Sequence, residues 1–389
     1  MLHLNCGKGI EGELMTMSTC IYEVKSDTDL KDWVHFQYDL YGSDQYFVPQ
    51  LIGDEFGYFK KTNPAYQIAE VKLFLAKDET GLNLGRICGI IHSLEEKKLG
   101  FKRGRVGWFE SVDDQDVANL LFDKCKAWFN EAGCYQMTGP HGFCDLDVEG
   151  LLIEGFDFLP TISGSYHFPY YQKLFENYGF EKEIDYHEHR VEVPAEYRLF
   201  ERMRTRINAN NEYNYVLLSS RKKLLKRSAE VWDLLEKSFV DLYGVTPLTK
   251  NQTDYYTKKF FNFLDPKYII LVENSEKKLA AFFIGMPNLS RGFKKANGKM
   301  LPFGLLKILY NYMRPDTVDF LLTGVDPDDP NGKILFSMIV LGMYDSLLKN
   351  KIKYVETNRE LETNKALLSI WSRFKNVHFR KSRIYKITL

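Results

Sequence analysis

From Ser18 onward, apolar and polar positions switch between a two-residue and a 3.6-residue period, and the switches divide the chain into strands and helices. A strand is predicted over 18–25 and a helix over 28–42. Strands follow at 69–77, 84–93 and 105–111. The next helix, 114–132, has Asp113 and Asp114 as caps and carries Leu120, Leu121, Cys125 and Trp128 on one apolar face. A strand at 134–139, a Gly-rich loop, a helix at 168–178 closed by Gly179 and a strand at 182–193 complete the first half. The second half repeats this order. After a linker helix (196–208) come a strand at 213–219, helices at 221–242 and 250–262, and strands at 267–273 and 278–286. An amphipathic helix at 302–313 precedes a strand at 316–325, a helix at 331–349, a strand at 352–358, a helix at 363–374 and a strand at 377–388. The expectation is an α/β protein of two similar domains, 18–195 and 196–389, each with its own mixed sheet. Residues 1–17 read as a disordered extension.

The 44% apolar content of the 389 residues is enough for sizeable cores. Lys+Arg and Asp+Glu both number 52, so the global charge signature of a nucleic-acid binder is missing. Six cysteines without CxxC spacing, all within the first 144 residues, read as reduced thiols of a cytoplasmic protein. No apolar run reaches the length of a membrane span, and the first residues lack the pattern of a secretory signal.

One junction bears on chemistry. GVDPDDPNGKIL (324–335) lies between a predicted strand and a predicted helix. A helix start offers free N–H groups to a phosphate, and the backbone of Asn331, Gly332, Lys333 and Ile334 could form such a nest, with Lys333 to neutralise charge. Asp326, Asp328 and Asp329 oppose that use, and Asp329 with Pro330 makes an ordinary cap and first-turn pair. Phosphate cradle and simple helix cap both stand at this point.

The element order, together with MPNLSRGFKKANGKMLPFGLLKIL (286–309), LLTGVDP (321–327), the E-x5-E-x-N of Glu356, Glu362 and Asn364, and KSRIYKI (381–387), resembles a tandem-domain bacterial branch of the GNAT-like N-acyltransferase superfamily. GPHGFCDLDVEGLLIEGFD (139–157) and HFPYYQKLFENYGFEKEIDY (167–186) extend the resemblance through the first half. Some relatives in that branch acylate lipid amines. The resemblance implies that an acyl-CoA, an acetyl-CoA or an acyl carrier protein serves as donor. The pantetheine would lie between splayed fourth and fifth strands, and the pyrophosphate on the turn at the helix start. Carried onto this chain, Thr323, Gly324 and Val325 would face the pantetheine and Asn331 to Ile334 the pyrophosphate, and Asn364 stands at the start of the last helix. The turn departs from the family pattern, with Asp329 or Pro330 at its Arg/Gln position. Glu356 and Glu362 are the candidate bases, Glu356 first. Trp371 replaces the usual Tyr, so Tyr385 or Tyr344 is the candidate acid. In the first half VDDQDVANLL lacks glycine, which implies that this domain has lost CoA. Its loop GPHGFCDLDVEG is then expected to face the partner domain and shape an acceptor pocket for a small-molecule or lipid amine.

Other signals carry less. His187 and His189 share a strand face but lack ligands to close a metal site, and no elbow motif surrounds the Cys144/His141 pair. Nine basic residues in 198–227 suit an anionic lipid surface, a carrier protein or the phosphates of CoA, or are simply solvated. The apolar stretches 254–268 and 301–313 suit a lid, an acyl tunnel or peripheral membrane contact, and core packing explains either one alone. The reading reached is an N-acyltransferase with the amine in the inter-domain cleft and no nucleic-acid partner. Its rival is a GNAT-fold binding protein that has lost its cofactor.

Overall fold

The computed structural model describes residues 19–389 apart from 197, 209–211 and 262, so the extension expected over 1–17 lies outside it. Fourteen strands form one sheet. In the first half they are β1 (Cys20–Glu23), β2 (Ala69–Lys77), β3 (Asn83–His92), β4 (Arg103–Ser111), β5 (Gln136–Gly139), β6 (Leu151–Glu154) and β7 (Glu181–Glu192). The second half supplies β8 (Tyr213–Tyr215), β9 (Ile269–Asn274), β10 (Leu279–Pro287), β11 (Thr317–Val325), β12 (Tyr354–Thr357), β13 (Glu360–Leu361) and β14 (Asn376–Thr388). Each half repeats a helix-bearing β4–β5 type crossover: β4 pairs parallel with β5, and β11 pairs parallel with β12.

Two separate sheets, as expected from the repeated order, are not what forms. The strand order is β1-β2-β3-β4-β5-β14-β7-β12-β11-β10-β9-β8. The last strand of each half has crossed to the other. β14 pairs with β5 of the first half, β7 pairs with β12 of the second, and β14 and β7 pair with each other over most of their length. The reason is the ladder itself. A short strand such as β5 or β12 needs a partner on its open edge, and any antiparallel strand of the right length satisfies its N–H and C=O groups, whichever half encodes it. One apolar core likewise spans the halves, joining Trp33, Tyr58 and Phe143 to Trp232, Tyr256 and Phe282.

Local structure follows local sequence. Asp114 caps the helix Gln115–Glu131 through Asp116 N and Val117 N, and Gly179 ends the helix Tyr171–Tyr178 in the left-handed conformation. The helix expected over 221–242 is broken at Arg227 into Arg221–Lys226 and Ser228–Phe239, where the Arg227 side chain reaches Glu230 and Glu273. A short helix, Ser290–Ala296, was not foreseen; it packs against Gly304–Met313, and Gly292 lets the backbones approach, since a Cβ there would lie 2.9 Å from Ile308 Cα.

Candidate functional site

β11 and β12 run parallel and in register from Thr317 opposite Tyr354 to Phe320 opposite Thr357, and then part. Two features open them. The β10 register skips Leu321, a bulge that bends β11, and β12 ends at Thr357. Asn358 bridges the start of the gap, donating from Nδ2 to Leu321 O (3.0 Å). Beyond it Thr323, Gly324 and Val325 pair only with β10, opposite Phe283, Phe282 and Ala281. Gly324 has to be glycine, because a Cβ would sit 2.4 Å from the Phe282 ring. Thus these three residues do border a splay, and Ser238 Oγ takes up the carbonyl of Val325 (3.1 Å).

At the foot of the splay a row of charges crosses one face of the sheet. Asp319 lies opposite Glu356, Glu356 opposite Arg190, and Glu188 opposite Arg380. In-register neighbours share a face. Arg190 donates to Glu356 Oε1 (2.9 Å) and to Thr317 Oγ1 (3.2 Å), and Asn288 Nδ2 donates to Asp319 Oδ1 (2.7 Å). Asp319 and Glu356 are 1% and 5% exposed. Burial pushes the Glu356 carboxyl up to about 7 despite Arg190 and Arg380, and burial with the Glu356 charge holds Asp319 well above the usual carboxylate range. At neutral pH the pair therefore holds a proton that can be exchanged. Asp319 Oδ2, Glu188 Oε2 and Arg380 Nη1 have no hydrogen-bond partner. Each such buried orphan costs about 1–3 kcal/mol, so this row is a poor arrangement for stability and a good one for chemistry.

On this same face, Leu322 opens onto a cleft between the halves. Its walls include Trp232, Leu235 and Phe239 from one half and Cys144, Asp145 and Leu146 from the other. The loop 139–150 thus does face the second half. Arg359, just past β12, fastens it by donating to the carbonyls of Asp145, Asp147 and Glu149. Behind the wall, Tyr58 donates to Asp147 (2.5 Å) and Tyr256 OH lies 3.1 Å from Cys144 Sγ. Cys144 is buried with its thiol pushed well up, so it is the neutral thiol at physiological pH. Asp145 is the half-buried carboxylate of the cleft, Glu236 an exposed one: low-dielectric surroundings and the charge of Glu149 raise Asp145 to about 7.

The turn after β11 is occupied by its own acids. Asp329 Oδ1 accepts from Asn331 N (2.9 Å) and from Tyr213 OH (2.6 Å). Gly332 N reaches Asp329 O and Ile334 N reaches Asn331 O, while Asp328 N goes to Asp326 Oδ1. Lys237 neutralises Asp326 and Asp328. Lys333 lies within the helix Gly332–Lys349, which begins beside it. The backbone groups that would grip a pyrophosphate are mostly spent, and a carboxylate stands where a phosphate oxygen would. This arrangement does not fit a pyrophosphate unless Asp329 moves away. The splayed edge of β11, by contrast, fits an extended pantetheine arm.

The remaining sequence-derived candidates lie elsewhere. Glu362 accepts from Lys182 Nζ (2.7 Å) and Asp185 N (3.1 Å). Tyr385 is packed against Phe175 in the first half and bonds Glu176 (3.1 Å). It lies opposite Lys182, whereas Glu356 lies opposite Arg190, which sets them about 25 Å apart along β7. Tyr344 OH is committed to Pro194 O (2.9 Å). Asn364 caps the helix Lys365–Trp371 through Leu367 N (3.2 Å). Among the described residues no group of three or more His, Cys, Asp or Glu is placed to hold a metal. Sequence reasoning missed Asp319, Arg190 and Asp145. The available signal was a charged residue inside an apolar strand run, as in TVDFLL.

The buried acids also set a pH dependence. Glu110 and Glu356 are raised to about 7 and Glu360 to about 8, each chiefly by burial. Their folded forms keep protons that the unfolded carboxyls have released, so stability falls as pH rises through this range. The histidines shifted by burial, such as His92 and His378, are lowered, and above pH 6.5 they no longer oppose the trend. Between pH 6.5 and 8 the melting temperature is expected to fall, each acid contributing up to about 1.4 kcal/mol per pH unit. Scanning fluorimetry across that range checks it, and a rising melting temperature contradicts it.

No family model matches the chain. It is 24% identical over 369 residues to Protein YghO of Escherichia coli (strain K12), covering 92% of each. Over 377 residues it is also 24% identical to a bacterial ceramide synthase of Caulobacter vibrioides (strain NA1000 / CB15N), covering 95% of this chain and 97% of that one. A tandem GNAT protein from the clavulanic acid biosynthesis pathway superposes with a TM-score of 0.55 at 10% identity, covering 95% and 98% of the two chains. The fold is therefore the tandem GNAT fold, as the sequence resemblance implied.

Proposed function

We propose that this protein is an N-acyltransferase that moves an acyl group from a pantetheine thioester to a long-chain amine bound between the halves. The observation that carries the reading is the placement, on one sheet face, of a splayed strand edge, a proton-exchanging carboxylate pair and a largely apolar cleft with two carboxylates on its wall, the half-buried Asp145 and the exposed Glu236. Apolar walls suit an alkyl chain, and Asp145 suits its ammonium group; the approaching cation would lower the Asp145 pKa and hold it ionised. The bound ammonium first loses one proton to solvent water, which frees its lone pair; the amine nitrogen then attacks the thioester carbonyl, the N–C bond forms and the C–S bond breaks. Glu356, sharing its proton load with Asp319, takes the second proton that nitrogen loses and passes it to the departing sulfur, which leaves as the thiol. The relative named a ceramide synthase supports a lipid amine, since a ceramide is the amide of a long-chain base.

The donor follows from the turn. With the pyrophosphate grip spent on internal bonds, binding rests on the pantetheine arm, which acyl-CoA and acyl carrier protein share. The same observation favours the rival reading of a non-catalytic binder. An assay separates these: long-chain acyl-CoA or acyl carrier protein is mixed with a long-chain amino alcohol or a short polar amine, and amides are read by mass spectrometry. The expected product is the long-chain amide; no amide from either donor sinks the enzyme and selects the binder. Asp145→Asn is expected to raise KM for the amine about tenfold, because one charge-assisted contact is lost, with a smaller change in kcat. An unchanged KM removes Asp145 as the amine anchor.

A further inference from the structure

The segment between β10 and β11 folds as two short helices, Ser290–Ala296 and Gly304–Met313. Its inner side is fastened to the protein: Ile308 and Tyr312 pack on the core that also holds Leu321 and Leu322. Its outer side is apolar as well. Leu301, Phe303, Leu306, Tyr310 and Met313 are 74, 65, 62, 59 and 73% exposed. A helix apolar on both faces has no reason to leave one in water. The charge around it is one-sided. Between Leu289 and Pro315 there are six basic residues and no acidic one, in a chain whose total charge is zero, so positive charge is concentrated here. Lys295 and Lys307 flank the exposed apolar patch of Phe303, Leu306 and Tyr310.

We propose that this hairpin is a docking surface for an anionic membrane. The exposed apolar side chains enter the acyl boundary, and Lys295, Lys299 and Lys307 meet the headgroup phosphates, the pattern of an interfacial helix. Side chains projecting singly from a convex helix suit a fluid lipid surface better than a protein groove, which would need matched concave packing. The hairpin leads into the site: it joins β10 to β11, and Asn288 at one end bonds Asp319 beyond the other. Docking would bring the cleft to the bilayer surface. It stands apart from the acyl-transfer reading, because vesicle binding requires no turnover.

The test is flotation of the full chain with vesicles of phosphatidylcholine alone and of phosphatidylcholine with phosphatidylglycerol. The chain is expected to float with the anionic vesicles, much less with the neutral ones, and less as salt rises. The double variants Phe303→Ser with Leu306→Ser, and Lys299→Glu with Lys307→Glu, are each expected to weaken partitioning about tenfold or more, with melting temperatures unchanged. Tyr310→Trp is expected to be quenched by lipids brominated along the chain. Absence of flotation, equal flotation of either double variant, an unquenched tryptophan, or retention of an acidic carrier protein in place of vesicles each overturns the proposal.

Discussion

Glu356→Gln is expected to lower kcat by roughly 10²–10⁴-fold, the usual worth of a positioned general base, with KM for donor and amine little changed. The substitution is gentle on the structure. Gln keeps an oxygen for the bond that Arg190 donates to Glu356 Oε1. The charge removed from beside Arg190 is replaced in part by Asp319, which was held protonated by its burial and by the Glu356 charge. Melting temperature should therefore move little, and that control separates a chemical loss from unfolding. The pH profile gives a second readout. In the parent protein kcat/KM should climb with pH through about 7 as the Glu356 carboxyl ionises. In the variant that limb should vanish or move to another group. A variant that turns over as fast as the parent would remove Glu356 as the base and turn attention to Asp145.

Deleting β14, residues 376–389, is expected to unfold the first half as well as the second. The strand is encoded at the end of the chain, yet it fills the sheet between β5 and β7. Its loss would bare two strand edges and take Tyr385 and Ile384, 1% and 0% exposed, out of two separate apolar clusters. Removing one large buried side chain costs about 3–5 kcal/mol, and whole domains are stable by only about 5–15. For the same reason residues 19–195 expressed alone should lack cooperative thermal unfolding. Co-expressed with 196–389, they should fold and co-purify, because the exchange can be completed in trans. Circular dichroism melts of the fragments, alone and together, measure this. A first half that folds cooperatively by itself would show that β14 is an accessory and not a member of its core.

The turn 326–334 shows where sequence and structure divided the work. The sequence placed it between strand and helix and counted its three aspartates, so both a cradle and a cap were legible. Which of these the backbone takes up depended on Tyr213, Lys237 and Glu212 converging on it from other elements. That convergence is tertiary. Glu356 was legible for a different reason: the family resemblance, through the E-x5-E-x-N of Glu356, Glu362 and Asn364, put it on the fifth strand near the expected splay. Its partners were not, since Asp319 and Arg190 become neighbours only through the register of β11, β12 and β7. Asp145 looked like one more polar loop residue until the loop was seen against Trp232 and Leu322.

What the sequence by itself determined is the succession of strands and helices, the repeat of that succession and the turns that join them. These rest on local periodicity, capping residues and glycine positions, which act over a few residues. The tertiary structure decided which strands pair across the halves, which acids are buried together and which apolar helix is left facing outward. Those outcomes follow from sheet register and shared burial, which couple residues far apart in the chain and leave no local pattern to read.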